Sequence, residues 1–394
     1  MSASVEEPAA AGPAPSSAPR VVVVTGHAEL DRLAGAWDDL WRRTPHATAF
    51  QAHAWCSAWA RAYVPDGRLA VVTVWDGATM VAAAPVHRLR RGPVPTLAPL
   101  GGPLADSTDV LLDPQVPDAG ARLVRALLGV PGWRVLDLPE VLPGSAAQGW
   151  AQAWPGRARR APSSLNLQLP VLPQAEVLGR LPSRTAGTLR RKLKKIDKLG
   201  VERVELAPAD VPAAVDRLIG LHEAQWAGRR GNPEHLTARF RAFLADAVGA
   251  MVDRGQAVFV EYRLDGRTVA AEVDLLGHRQ LAYYLAGIDP ALREQMDTSV
   301  LLVGGALAAA ERLGLPEYSF LRGDEDYKLR WRPEHVTAER FVLARPGPLG
   351  SGGYLPATAA ATAAMALARR ALGGRARELA RSGMHRVREA RAGR

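Results

Sequence analysis

Three consecutive acids, Asp324, Glu325 and Asp326, leave Gly323 and run straight into Tyr327 and Lys328 within the stretch YSFLRGDEDYKLRW. A carboxylate whose pKa is raised by partial burial can take a proton from an attacking amine or hydroxyl near neutral pH. A tyrosine can protonate a leaving group, and a lysine can polarise a carbonyl or hold a phosphate. If the segment is extended, Tyr327 and Leu329 fall on one side and Lys328 and Arg330 on the other. The plainer alternative is a solvated acidic turn paired with Lys328, Arg330 and Arg332.

Two further sets have chemical spacing. Glu272 and Asp274 are two apart in TVAAEVDLL, so on a strand they share a face opposite Ala271, Val273 and Leu275. If the apolar set faces helices, the acids line the open side, with Glu272 as the proton acceptor and Tyr284 on the next strand completing a polar cleft. An exposed sheet face is the competing reading. In LHEAQWAGRRG, His222 and Trp226 are four apart and share a helix face, where they could wall a pocket with Arg229 meeting a carboxylate or phosphate. A tryptophan at this spacing also fits a core.

Composition narrows the classes. The chain has 394 residues, a length that favours two domains, and its single cysteine, Cys56, allows no intrachain disulfide and no cysteine metal cage. This usage fits a reducing, cytoplasmic setting. The nine histidines show no ligand spacing, so no metal is expected. No window reaches the eighteen or so uncharged apolar residues of a membrane span. The net charge of +10 is concentrated at residues 184–198 and 369–394, leaving the remainder slightly acidic. The first segment, TLRRKLKKIDKLG, reads as an amphipathic helix with a cationic outer face suited to a phosphorylated donor, an anionic polymer or a membrane surface. No aromatic residues interleave its basic ones, which argues against nucleic acid.

The elements that must position these residues are legible as an order. Strand RVVVV, two helices through Leu30–Trp41 and Ala52–Tyr63, a hairpin around Asp76-Gly77, a helix near Asp118–Leu128 and strand WRVLDL form a first unit. Strand LNLQLP, the basic helix, VERVEL, helices Pro212–Trp226 and Pro233–Asp253, a three-strand meander, a helix over Glu294–Leu313, EYSFLRG and VTAERFVLA form a second. The expected class is α/β (α+β), with two tandem units of mixed, largely antiparallel sheet flanked by helices. The expected divisions are a disordered leader at 1–19, domains at 20–162 and 163–346, and a linker with a basic helical tail at 347–394. The boundary is expected where APSS interrupts the pattern, near Arg160–Ser164.

With that order in place, the meander followed by YYLAGIDP, a helix and LRGDEDYKLRW resembles the cellulose-biosynthesis acetyltransferase (CelD/BcsL-like) branch of the GNAT acyltransferase superfamily, on Tyr283, Tyr284, Gly287, Asp289, Pro290, Gly323, Asp324, Tyr327 and Lys328. LHEAQWAGRRG, TAFQAHAWCSAW and VAAAPVH are similar to further segments of that branch. The resemblance implies a FemABX-like tandem of GNAT domains, the first degenerate. It implies acyl transfer from acetyl-CoA or another acyl-CoA thioester to an amine or hydroxyl of a small molecule or glycan precursor. The catalytic residues so implied are Glu272, Asp324, Tyr327 and Lys328. The acceptor would meet His222, Trp226, Arg229, Asp274 and Tyr284, and the donor Gly287, Asp289, Ser299 and Gly323. One departure stands out: the Arg/Gln-x-x-Gly-x-Gly/Ala loop that presents backbone N–H groups to the CoA diphosphate at a helix N-terminus is missing between Leu285 and Ala306. The rival readings are transfer from aminoacyl-tRNA, and a non-catalytic protein held at the inner face of a membrane by its arginine tail.

Overall fold

The structure is a computed structural model describing residues 19–228 and 231–347. Residues 1–18 of the expected leader, Arg229, and the tail from 357 onward lie outside the described residues. In chain order the strands are β1 (Arg20–Val24), β2 (Val71–Asp76), β3 (Thr79–Ala84), β4 (Val86–Arg91), β5 (Val94–Pro99), β6 (Leu111–Leu112), β7 (Val135–Val141), β8 (Ala158–Pro170), β9 (Glu202–Glu205), β10 (Ala257–Leu264), β11 (Arg267–Leu276), β12 (Gln280–Ile288), β13 (Glu317–Arg322) and β14 (Glu334–Ala344).

Each half follows one plan. In the first, β4 and β5 form an antiparallel hairpin, the helix Ala119–Gly129 crosses over, and β7 returns parallel to β5 through Thr96–Val135 and Leu97–Leu136. In the second, β11 and β12 are antiparallel, the helix Thr298–Arg312 crosses over, and β13 returns parallel to β12. A parallel return needs such a crossover, because a tight turn can only reverse the chain. The fold is therefore mixed α/β, with two GNAT-like units in tandem.

The halves are not joined by a linker. A four-stranded sheet, β1-β2-β3-β6, belongs to the first half, but the other sheet runs β4-β5-β7-β14-β8-β13-β12-β11-β10-β9 through both. β14 lies between β7 and β8, antiparallel to each. Its Phe341 and Leu343 enter the core of the first half beside Leu136 and Trp133. APSS, read from the sequence as an interruption, sits within the thirteen-residue β8, since its prolines and serines still alternate along a strand paired with β14.

A second tie is a shared apolar core. The helix His53–Tyr63 of the first half packs on Ala238–Asp253 of the second, and Trp55 meets Phe243 edge-on with ring centroids 5.0 Å apart. Tyr63 Oη donates to Glu234 Oε1 at 2.8 Å, and His278 Nε2 donates to the Trp41 carbonyl at 2.7 Å. The opposite face of the second half's strands is covered by Ser183–Lys198 and Thr298–Arg312.

Helix boundaries follow their caps. Ala238–Asp253 starts after Thr237, whose hydroxyl accepts from Phe240 N, so the span expected from Pro233 divides into one 3₁₀ turn and a helix. Likewise Asp297 caps Thr298–Arg312 and separates it from the turn Leu292–Gln295, where a single helix from Glu294 was expected.

Gly287 fixes how closely Val211–Trp226 approaches β12. A Cβ there would lie 2.3 Å from the Leu218 carbonyl oxygen and 2.6 Å from the His222 nitrogen. Backbone cannot move aside as a flexible side chain does, so Gly287→Ala is expected to lower stability by about 2–3 kcal/mol in urea unfolding. Gly249→Ala, in a helix with nothing within 4 Å, is the matched control and is expected to hold or raise it.

Candidate active site

β12 and β13 begin as neighbours and then part. Only Gln280–Glu317, Leu281–Tyr318 and Ala282–Ser319 pair, although β12 continues to Ile288 and β13 to Arg322. Two features turn β13 away. Its pairing with β8 slips between Ser319 and Arg322, and Leu321 takes φ 57°, a conformation costly for a residue with a Cβ. What holds it there is Arg322: its guanidinium binds Asp106, donates to the Pro103 carbonyl at 2.9 Å and lies 3.7 Å from Glu140, all in the first half. The first half thus pulls one wall of a wedge open.

The other wall is the edge of β12, and a slip in its pairing with β11 decides which side chains each face receives. Asp274 pairs with Tyr283, while Val273 pairs with Leu285, so Tyr284 falls in the irregularity. Tyr283 therefore joins the face of Glu272 and Asp274, and Tyr284 turns to the opposite face against Trp55 and Phe50, with ring centroids at 5.1 and 6.2 Å. The expected cleft joining Tyr284 to the two acids does not form, because the strand separates them.

Glu272 and Asp274 do not line an open face either. Both are fully buried under Thr298–Arg312, whose Gly305 leaves room for Tyr262. The Tyr262 hydroxyl donates to Glu272 Oε1 at 2.7 Å, while Glu272 Oε2 and both Asp274 oxygens are buried without a hydrogen bond among the described residues. Loss of hydration pushes the Glu272 carboxyl up to about 7, against the Tyr262 hydrogen bond and the Arg203 charge. Burial and then the Glu272 charge push Asp274 up in the same direction. The pair is a proton store sealed in the core, out of a substrate's reach.

On the other side of β12, Val211–Trp226 lays His222 against the wedge. His222 Nδ1 donates to the carbonyl of Ala286, four residues past the last β12–β13 pair, at 2.8 Å. This fixes the tautomer: Nδ1 carries the proton and Nε2 keeps its lone pair, with no hydrogen bond among the described residues. Burial pushes the imidazole below its ordinary pKa, so it stays neutral. Trp226, one turn on and 38% exposed, lies 6.1 Å from it between ring centroids, and His235 lies 5.4 Å away. The i, i+4 spacing of His222 and Trp226 gave this pair in the sequence. Arg229 cannot be placed with them.

The stretch after Gly323 is not extended. Gly323 takes φ 113° and donates its N–H to the Leu165 carbonyl, and Asp326–Leu329 then form one helical turn. Tyr327 packs beside Phe320, and Asp324 is half-buried. Lys328 is buried, and its ammonium donates to the carbonyls of Phe320 at 3.0 Å and Arg322 at 2.8 Å and lies 2.8 Å from Glu325 Oε2. An ammonium has three donors, and all are taken. Lys328 closes the end of β13 instead of reaching a carbonyl in the wedge.

The residues expected to meet the donor are also engaged. Gly287 serves helix packing. Asp289 accepts from Ala291 N at 2.9 Å and pairs with Arg267 at 3.1 Å. Ser299 donates to Asp297 Oδ1 at 2.7 Å. Asp297 itself accepts from Val300 N at 3.3 Å and binds Lys192 at 2.5 Å and Arg330 at 2.6 Å. Against the cost of burial, these partners hold its carboxyl well below the usual range. A helix N-terminus attracts one anion, and here the protein supplies it. A donor diphosphate does not fit at this helix end. The capping signature Asp297-Thr298-Ser299 was readable in the sequence and was not singled out.

Residues 183–329 match the family model described as an acetyltransferase (GNAT) domain. The fold resembles FemX at 10% identity over 82% of this chain and 97% of that one, with a TM-score of 0.58. It also resembles L-PGS from Bacillus licheniformis at 8% identity over 82% and 93% of the two chains (TM-score 0.52), and the C-terminal domain (DUF2156) of a putative lysylphosphatidylglycerol synthetase from Agrobacterium fabrum at 13% identity over 84% and 96% (TM-score 0.51). At such identities the likeness is one of fold. No curated protein matches the sequence. The chain thus carries a GNAT acetyltransferase domain within a two-part, FemX-like architecture, and the fold is that of a GNAT-type acyltransferase.

The sealed acids make stability fall with pH. A carboxyl whose folded pKa is raised binds its proton more tightly folded than unfolded, so that stability is present below about pH 4.3 and is lost as pH rises through the folded value. Urea unfolding of the wild type against Glu272→Gln is expected to show the variant gaining about 2–3 kcal/mol relative to the wild type between pH 4.5 and 7, at about 1.4 kcal/mol per unit. A difference that stays flat over that range would show that Glu272 ionises freely in the fold.

Proposed function

We propose that the chain moves an acyl group from an activated donor to an amine or hydroxyl, with the acyl carbonyl held in the wedge between β12 and β13. The observation that carries this is the parting of those strands inside the residues that match an acetyltransferase domain. Beyond Ala282, β12 has no strand partner on that side, so its backbone groups are free to pair with an extended acyl arm as a strand would. His222 is the proton acceptor in this reading. As the acceptor nitrogen or oxygen attacks, its proton passes to His222 Nε2. The carbon–nitrogen or carbon–oxygen bond forms, the carbonyl–donor bond breaks, and the imidazolium returns the proton to the leaving thiolate or alkoxide. Neutral imidazole below its ordinary pKa is charged only transiently, which favours that return.

The first donor class is an acyl-CoA-type thioester, consistent with the cellulose-biosynthesis branch and a glycan-precursor or other envelope acceptor. A specific observation favours a second. Asp297 already occupies the helix end where a diphosphate would be held, which suits an ester on the terminal ribose of an aminoacyl-tRNA, a donor with no diphosphate at that place. The exposed basic face of Ser183–Lys198 would then meet the RNA backbone, and that contact weakens with salt.

The test pairs each donor with a panel of amines and hydroxyl compounds, following free thiol for acyl-CoA and amide product for aminoacyl-tRNA. Product from one donor class is expected. His222→Gln is expected to lower kcat by about 10²–10⁴-fold while leaving donor affinity within a few-fold. A chain that consumes neither donor, or a variant with unchanged kcat, contradicts the reading.

A further inference from the structure

A cavity of about 480 Å³ lies between the halves, away from the wedge residues. Its floor is the start of three strands that belong to the second half, with Gln280 from β12, Gln168 from β8 and Thr337 from β14. Its walls are the loop bearing His46 and the segments Ser107–Asp109 and Leu142–Ser145 from the first half. This volume falls in the range of about 300–1,000 Å³ typical of small-molecule sites.

The side chains facing it are unusual in having nothing to bond. Gln280 is 7% exposed, yet its carboxamide makes no hydrogen bond among the described residues. The carboxamide of Gln168 and the Thr337 hydroxyl make none either. A buried amide with no partner costs about 1–3 kcal/mol, so its retention calls for something that bonds to it. The lining also lacks net charge to offer. Arg279 is held by Glu317 at 2.9 Å, and Asp109 spends its oxygens on the N–H groups of Val110, Ala146 and Ala147. Two carboxamides and a hydroxyl each give and accept a hydrogen bond, and no cation is left over for a phosphate or carboxylate.

We infer that this cavity binds a neutral, hydroxyl-rich ligand of the sugar class, held by the carboxamides of Gln168 and Gln280. The inference deepens the acyl-transfer reading by giving the acceptor an anchor, and it is testable without any transfer. From Glu317 in the cavity to Arg322 at the wedge, β13 advances about 17 Å at roughly 3.3 Å per residue, so an acceptor anchored here and acylated in the wedge is an extended one, such as an oligosaccharide.

The full chain is titrated by thermal shift and calorimetry with glucose, N-acetylglucosamine and their short linear oligomers, and with glucose 6-phosphate and glucuronic acid as charged counterparts. The neutral oligomers are expected to raise Tm and bind more tightly than the monosaccharides or the charged sugars. Gln168→Leu and Gln280→Leu are each expected to weaken that binding about tenfold or more, equivalent to about 1.4 kcal/mol. Their unliganded Tm reports folding, and half-exposed Gln168 serves if Gln280→Leu unfolds. No binding by any neutral sugar, tighter binding of the charged ones, or full affinity in a folded Gln168→Leu chain overturns the inference. Binding without transfer activity would leave it standing and count against the acyl-transfer reading alone.

Discussion

Arg322 is the residue on which the geometry turns. It ends β13, and a strand that paired parallel to β12 for three residues would go on pairing if nothing drew it away. The guanidinium reaches across to Asp106 and the Pro103 carbonyl, and the backbone accepts a positive φ at Leu321 to let it. Lys328 then ties the end of the same strand by donating to the carbonyls of Phe320 and Arg322. A charged pair held in a partly buried interface is costly to break on one side only. The wedge is therefore a property of both halves, and neither would open it alone.

The continuous sheet explains why the halves can carry that load. Because β14 is hydrogen-bonded to β7 on one side and β8 on the other, any rotation of one half against the other would break backbone pairs along its length. The aromatic contacts around Trp55 do the same on the helical side, where Phe243 and Tyr284 of the second half meet a tryptophan of the first. The first half is thus a brace for the transferase site and the source of most of the walls of the cavity beside it.

Element order was legible in the sequence because it rests on local signals. Asp-Gly turns, apolar alternation in AVFVEYRL and the stripe of Leu189 and Ile196 need no partner to be read. What the sequence hid is pairing. Nothing local in VTAERFVLA says that it inserts beside a strand two hundred residues earlier. The slip that sends Tyr283 and Tyr284 to opposite faces is invisible to a two-residue period. The acids Glu272 and Asp274 were rightly placed on one face, but which face is covered depends on the helix above it. The pair His222 and Trp226 was readable because i, i+4 spacing survives any tertiary setting. The tautomer that gives His222 its chemistry depends on the Ala286 carbonyl, sixty-four residues away.

The central claim is that the unpaired edge of β12 receives the acyl arm of the donor. Amide hydrogen exchange over residues 283–288 measures this directly, with the protein alone and with a non-transferable donor, either a thioether analogue of acyl-CoA or an amide-linked aminoacyl minihelix RNA. The account predicts that one of the two slows exchange along Tyr283–Ile288 and in the segment around His222, as a strand added to that edge would. Protection that appears elsewhere, with β12 exchanging as it does in the free protein, would contradict it.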